Sequence, residues 1–150
     1  MTVVSVEIKK CNPYAEGRSF GDSVPYERID GIVEFAVDPS NKANQSIVDL
    51  GLAPRDARRR VRFKSDFRLI VPQDSSKGNR RVIVDVVNRG RPVVFGRFNG
   101  APLEPASPGE IPAGDGFLFR HGFSVASIGW QWDVYRDDEL LGLDPPYALD

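Results

Sequence analysis

The chain has 150 residues, enough for one domain or for an N-terminal fragment of a larger protein. Its 20 basic and 21 acidic residues nearly cancel, so no net field attracts nucleic acid or an anionic membrane. A single cysteine and a single histidine exclude an internal disulfide and a two-histidine metal site, and we expect no metal and no other cofactor.

Neither a membrane span nor a signal peptide is predicted. No apolar run approaches the roughly 20 residues that a membrane span needs. The first ten residues alternate between apolar and polar side chains and lack the continuous apolar segment of a signal peptide. We therefore expect a soluble, cytoplasmic protein with no membrane partner.

The first half of the chain, about 1–75, is predicted to form antiparallel strands with one face in solvent. Apolar and polar residues alternate over 4–9, 26–37 and 61–71, which predicts three strands, the first of them half-buried. Gly31 marks a candidate bulge in the second strand. The polar residues 74–79 are predicted to form a hairpin loop that leads into the next strand.

Three consecutive arginines, Arg58 to Arg60, are the one basic run that invites a nucleic-acid interpretation. They lie in a predicted turn, and no aromatic residues are interleaved with them to stack on bases. Acidic residues elsewhere balance their charge. We interpret them as a solvated turn and expect no nucleic-acid partner.

The stretch from Arg81 to Gly90 has the densest run of β-branched residues in the chain. A strand that is apolar on both faces is normally covered on both sides, which predicts a position in the middle of a sheet. The strand ends abruptly at Asn88-Arg89-Gly90. Active sites of open α/β folds gather where such strands end in a glycine-bearing turn.

The second half, 76–150, is predicted to begin a parallel sheet. Residues 91–112 contain five prolines and three glycines and are interpreted as an irregular excursion. Asp115 stands at an N-cap position before a helix of about two turns that ends at Gly122. A strand over 123–129 follows, and the strand-helix-strand order predicts that it lies parallel to the Arg81 strand.

Two groups of residues at the ends of these strands are the candidate site. Asn88-Arg89-Gly90 is either a tight turn or a loop whose amides face a developing oxyanion. Trp130, Trp132 and Asp133 either line a pocket or, for the tryptophans, belong to the core. No nucleophile elbow, Walker loop or dinucleotide fingerprint accompanies them.

Several short strings also carry a family resemblance. Together they resemble the N-terminal region of a bacterial family of large α/β-hydrolase domain-containing proteins, over nearly the whole chain. The strings are, in order, Gly17-Arg18-Ser19-Phe20-Gly21, Pro25-Tyr26-Glu27-Arg28-Ile29-Asp30-Gly31, Val48-Asp49-Leu50 with Ala53-Pro54-Arg55, Val87-Asn88-Arg89-Gly90, and Gly114-Asp115-Gly116-Phe117-Leu118 with Gly129-Trp130-Gln131-Trp132-Asp133.

The resemblance implies a mixed α/β, β-rich fold in which an antiparallel section leads into the first strand-helix-strand unit of a hydrolase-like sheet. It implies that the loop at Asn88-Arg89-Gly90 helps to form an oxyanion hole. In that family the nucleophilic serine, the acid and the histidine lie farther downstream, and His121 does not correspond to the triad histidine. The chain is then a part of a hydrolase that is not catalytic alone.

Two functional hypotheses follow. In the first, the complete protein hydrolyses a small acyl or ester substrate, and a complementing chain or a C-terminal part supplies the missing groups. In the second, the chain is an independent β-rich binding or interaction module. The second hypothesis is favoured if the strands at 61–71 and 82–86 pair antiparallel, without a parallel strand from 123–129.

Overall fold

The computed structural model describes residues 1–102, 106, 109–135 and 139–149. These residues contain one six-stranded mixed sheet. The strand order is β1-β2-β3-β5-β4, and β6 pairs with β3. The predicted β-rich fold with mixed strand directions is confirmed at this level. The strands are β1 (Thr2–Pro13), β2 (Tyr26–Val37), β3 (Val61–Pro72), β4 (Val82–Val86), β5 (Ser124–Ile128) and β6 (Leu143–Asp144), and the helices are α1 (Val94–Phe98) and α2 (Phe117–Arg120).

Strands β1, β2 and β3 form an antiparallel meander, as the sequence predicts. The observed bounds of β2 are the predicted ones, because its period-two pattern is local to the strand. The irregularities of the ladder lie in β1, and one of them, between Ile8 and Lys10, is opposite Gly31. Strand β1 is exposed along its whole length, so the prediction of a half-buried first strand is wrong.

Strand β5 lies between β3 and β4. It pairs antiparallel with β3 and parallel with β4, which confirms the predicted parallel pair. The segment at 74–79 is therefore not a hairpin loop, because the two strands that it joins are not neighbours in the sheet. Central β5 is the buried strand of the pair, with Val125 and Ser127 each 1% exposed.

Strand β4 stands at the edge of the sheet, so its predicted position in the middle is wrong. Its Val82, Val84 and Val86 are 56%, 59% and 64% exposed, and they share a face that no described segment covers. Asp85 on the opposite face is buried. The β-branched composition of β4 indicates a high strand propensity. The position of β4 within the sheet depends instead on where β5 inserts, which that composition does not indicate.

The other face of the sheet carries a covering layer, which we define as residues 91–102 and 109–122. The layer contains α1, a helix inside the predicted irregular excursion, and residues 103–105 and 107–108 of that excursion lie outside the described residues. Helix α2 spans four residues rather than two turns, because Gly116 before it has a φ of +72°. The Asp115 carboxylate still accepts from the Phe117 N–H at 2.8 Å.

The covering layer encloses the main hydrophobic core against β2, β3 and β5. Phe119 is fully buried at its centre, and aromatic rings surround it. None of the helices in the described part of the chain is long and apolar enough to cross a membrane. The core residues are Tyr14, Phe20, Tyr26, Ile70, Val94, Phe95, Ala101, Ala113, Leu118, Phe119 and Val125.

Candidate functional site

The ends of β4 and β5 lie side by side because the two strands are parallel. After β4 the chain reverses in a closed turn, in which the Asn88 N–H donates to the Arg91 carbonyl at 2.9 Å and the Arg91 N–H donates back at 3.0 Å. Arg89 and Gly90 have φ values of +51° and +81°. Positive φ at both central residues is the signature of the type I′ hairpin turn.

Gly90 fits this turn for two reasons. Its positive φ disfavours any residue with a side chain. In addition, a Cβ at this position would lie 2.9 Å from Cγ1 of Val134 and 3.0 Å from the Leu141 nitrogen. The Leu141 N–H donates to the Gly90 carbonyl at 3.0 Å, so the segment around Leu141 lies directly on the turn.

Two of the backbone N–H groups that the sequence predicts to face an oxyanion already donate hydrogen bonds within the protein. The Asn88 N–H closes the turn, and the Arg89 N–H donates to Oε1 of Gln131 at 2.7 Å. The groups left for an oxyanion are therefore the Asn88 side-chain amide, which is exposed, and the Gly90 N–H. The oxyanion role of this loop stays a prediction.

The two groups of predicted site residues come together at this corner. Nη1 of Arg89 lies 2.7 Å from Oδ2 of Asp133, and the hydrogen bond from Arg89 lowers the pKa of that carboxyl. The Trp130 indole N–H donates to the Val87 carbonyl at 2.6 Å. Trp130 and Trp132 are 53% and 67% exposed, so neither is a core residue. Their role in lining a substrate pocket stays a prediction.

A buried polar row beneath the covering layer was not predicted. Asp30, Arg68, Ser127 and Asp85 are paired in register across β2, β3, β5 and β4. Arg68 and Asp85 are 3% and 5% exposed. The alternation over 26–37 and 61–71 predicts one solvent-facing side of the strands and places Asp30 and Arg68 on that side. This expectation is wrong, because the covering layer packs on the side where the two residues lie. The sequence signal for the covering layer was the apolar run Val93-Val94-Phe95 within the predicted irregular excursion, because such a run requires a surface to pack on.

The Asp85 carboxylate connects the covering layer to the sheet through hydrogen bonds. Its Oδ2 accepts from the Val93 N–H at 3.2 Å and from the Ser127 hydroxyl at 3.0 Å. Burial raises the pKa of this carboxyl, and the hydrogen bonds from Ser127, Val93 and Val94 oppose that shift. The arrangement holds the start of α1 above the end of the parallel pair.

Asp85 is expected to make stability depend on pH. Because its pKa is higher in the folded than in the unfolded chain, the free energy of unfolding falls as pH rises from about 4 through the raised folded pKa. Asp85→Asn removes this slope. Asp85→Ala leaves the Val93 N–H and the Ser127 hydroxyl without their acceptor and costs about 1–3 kcal/mol.

Urea unfolding at a series of pH values measures both effects. Asp22→Asn, at an exposed loop position, is the matched control and is expected to leave the contribution of Asp85 to the slope intact. An Asp85→Asn protein with the same pH slope as the unaltered chain would refute this assignment.

The arginine run also has a structural explanation. The Asp56 carboxylate accepts from the backbone N–H groups of Arg58 and Arg60, both at 2.9 Å, and from Nε of Arg62 at 2.9 Å. These hydrogen bonds, above all the one from the Arg60 N–H, lower the pKa of Asp56. The arginines thus lie in a turn organised around one carboxylate, in agreement with the predicted turn.

The described residues contain no group of three or more histidine, cysteine, aspartate or glutamate side chains that could hold a metal ion. The sequence matches no family model and no curated protein, and the fold matches no solved structure. The class that the fold itself defines is a β-rich domain with a mixed sheet and few helices.

Proposed function

We propose that this chain is the N-terminal part of an α/β-hydrolase-like enzyme that cleaves an ester or a related acyl compound. The chain is not catalytic alone. It contributes the turn at Asn88-Arg89-Gly90 to an oxyanion site, and Trp130, Trp132 and Asp133 to the wall of the substrate pocket. A complementing chain or further polypeptide supplies the nucleophile.

The observation that carries the proposal is the pair of adjacent parallel strand ends. Ligands of α/β sheets bind beyond the carboxyl ends of parallel strands. Here those ends carry a glycine turn and an aromatic segment, which the Arg89–Asp133 ion pair joins at 2.7 Å. The Asn88 side chain offers donors of the kind that stabilise an oxyanion.

The uncovered face of the sheet supports the proposal that a complementing chain or further polypeptide packs against this chain. Sheets that contain parallel strands are normally covered on both faces, because their strands are apolar on both sides. On this face the exposed apolar residues lie at the two edges, as the valines of β4 and as Val6 and Ile8 of β1, which are 59% and 61% exposed, whereas Val33 and Phe67 between them are buried. Clustered exposed valines such as those of β4 mark an interaction surface.

A fluorophosphonate probe tests the absence of a nucleophile. The 150-residue chain is expected to give no labelled serine, whereas the complete protein is expected to label at a serine outside this sequence. Labelling of a serine within these residues would overturn the proposal. A Gly-x-Ser-x-Gly sequence, in any frame, in the DNA downstream of this segment would support the proposal.

In the complete protein, Asn88→Ala is expected to lower kcat for p-nitrophenyl butyrate about 100-fold, the usual effect of losing one oxyanion donor. Asn12→Ala, at an exposed position in β1, is the matched control and is expected to leave kcat unchanged. An unchanged kcat in Asn88→Ala, with the protein folded, would remove this residue from the oxyanion site.

Antiparallel pairing of β3 with β4, without a parallel strand from 123–129, would favour the alternative of an independent interaction module. In the structure β5 separates β3 from β4 and runs parallel to β4. The strand pairing therefore favours the hydrolase proposal over this alternative.

A further inference from the structure

A cavity of about 240 Å³ lies between the polar row of the sheet and the covering layer. Arg68 lines it from β3, and Phe95 and Gly96 line it from α1. Ile111 contributes a further apolar wall, and Asn88 places the cavity next to the strand-end turn. The cavity thus combines a buried guanidinium with apolar walls from α1 and Ile111 and with further charged side chains.

Two guanidinium groups share one carboxylate beside this cavity. Asp30 is shared between two guanidinium groups, with Oδ2 at 2.6 Å from Nε of Arg28 and Oδ1 in contact with Nε of Arg68. The Arg68 side chain is 4% exposed, and burial lowers its pKa, which the Asp30 carboxylate opposes. An anionic ligand would add a further hydrogen-bonded partner to this buried guanidinium, beside the Asp30 and Glu139 carboxylates, whose charges already oppose the effect of burial on its pKa.

The guanidinium of Arg68 retains donors for such an anion. Its Nε contacts Asp30, and its Nη1 donates to the Glu139 carbonyl at 3.3 Å. Within the described residues, its Nη2 has no hydrogen-bond acceptor. The fork of a guanidinium matches the two oxygens of a carboxylate, and burial strengthens the hydrogen bonds between them.

We propose that this cavity binds a small organic monocarboxylate, with the carboxylate on Arg68 and the apolar body against Phe95 and Ile111. The charged residues of the lining favour a monoanion over doubly charged phosphate, because Arg68 and Arg91 are matched there by Glu110 and Glu139. The apolar walls favour a hydrocarbon body over a fully polar ligand. This site goes beyond the proposed hydrolase function and does not require it.

Backbone amide NMR of the 150-residue chain, titrated with butyrate, butyramide and inorganic phosphate, tests the proposal. Butyrate is expected to give saturable shifts at residues 93–96 and 109–111, and the two other compounds are expected to give none. Arg68→Lys keeps the charge but loses the fork, and it is expected to raise the Kd for butyrate at least about tenfold. Arg62→Lys, at an exposed arginine of the same strand, is expected to leave the Kd unchanged.

Gly96→Leu fills the cavity without altering Arg68 and raises the helix propensity of α1, so it is expected to abolish binding in a folded protein. Butyrate binding unaltered by both Arg68→Lys and Gly96→Leu would overturn the proposal. Equal binding of butyramide, or tighter binding of phosphate, would overturn the carboxylate assignment. Because these readouts need no catalysis, a failed hydrolase assignment leaves them unchanged.

Discussion

Replacing Phe119 by alanine is expected to lower the free energy of unfolding by about 3–5 kcal/mol, which is the usual cost of deleting a fully buried aromatic ring. Phe119 is 0% exposed. Its ring centroid lies 4.8 Å from that of Phe20, 4.9 Å from that of Tyr26 and 5.1 Å from that of Tyr14. The substitution therefore removes contacts to three segments at once, and it leaves a cavity between α2 and the sheet.

The neighbouring Phe117 provides the control. It belongs to the same short helix but is 41% exposed, so Phe117→Ala is expected to cost less than about 1 kcal/mol. Phe119→Leu keeps most of the apolar volume, so its cost in free energy of unfolding is expected to lie between those of Phe119→Ala and Phe117→Ala. Chemical denaturation of the three variants measures the series. Equal costs for Phe119→Ala and Phe117→Ala would show that Phe119 is not the centre of the core.

The sequence predicted the strands better than their places in the sheet. The bounds of β2 and most of β3 follow from alternation within each segment, which is a local signal. The edge position of β4 depends on the insertion of β5, whose parallel partner is about 40 residues earlier in the chain. The parallel pairing itself was predictable, because the strand-helix-strand order implies a crossover.

The candidate site was predictable to a similar extent. The turn at Asn88-Arg89-Gly90 was identified because its glycine follows a strongly β-branched run, and the structure confirms a tight turn there. Arg68 was missed because alternation alone assigns it to a solvent-facing side. Whether a layer covers that side depends on the tertiary position of residues 91–122, and the sequence pattern of β3 does not contain that information.

The two faces of the sheet have different consequences for function. The covered face contains the polar row, in which Asp85 connects the start of α1 to the end of β4. The other face remains apolar and exposed on β4 and β1. The corner at the strand ends is therefore supported from one side, and the second side is exposed and open to the nucleophile-bearing part that we propose.

Replacing Asn99 by alanine is expected to lower the free energy of unfolding by about 2–4 kcal/mol, because it removes two buried hydrogen bonds and leaves the Leu118 N–H without its side-chain acceptor. Asn99 is 0% exposed and follows α1 directly. Its side-chain NH₂ donates to the Ala113 carbonyl at 3.0 Å, and its side-chain oxygen accepts from the Leu118 N–H at 3.0 Å. One amide thus joins the end of α1 to the start of α2.

Loss of this connection is expected to loosen the covering layer before the sheet. Asn99→Ala should accelerate hydrogen exchange at residues 94–101 and 113–120, while β2 and β3 retain their protection. Asn12→Ala, at an exposed position in β1, should change neither stability nor exchange in the layer. Because the layer forms one wall of the cavity beside Arg68, Asn99→Ala should also weaken butyrate binding without altering the guanidinium. Uniformly faster exchange across layer and sheet would show instead that the two unfold as a single unit.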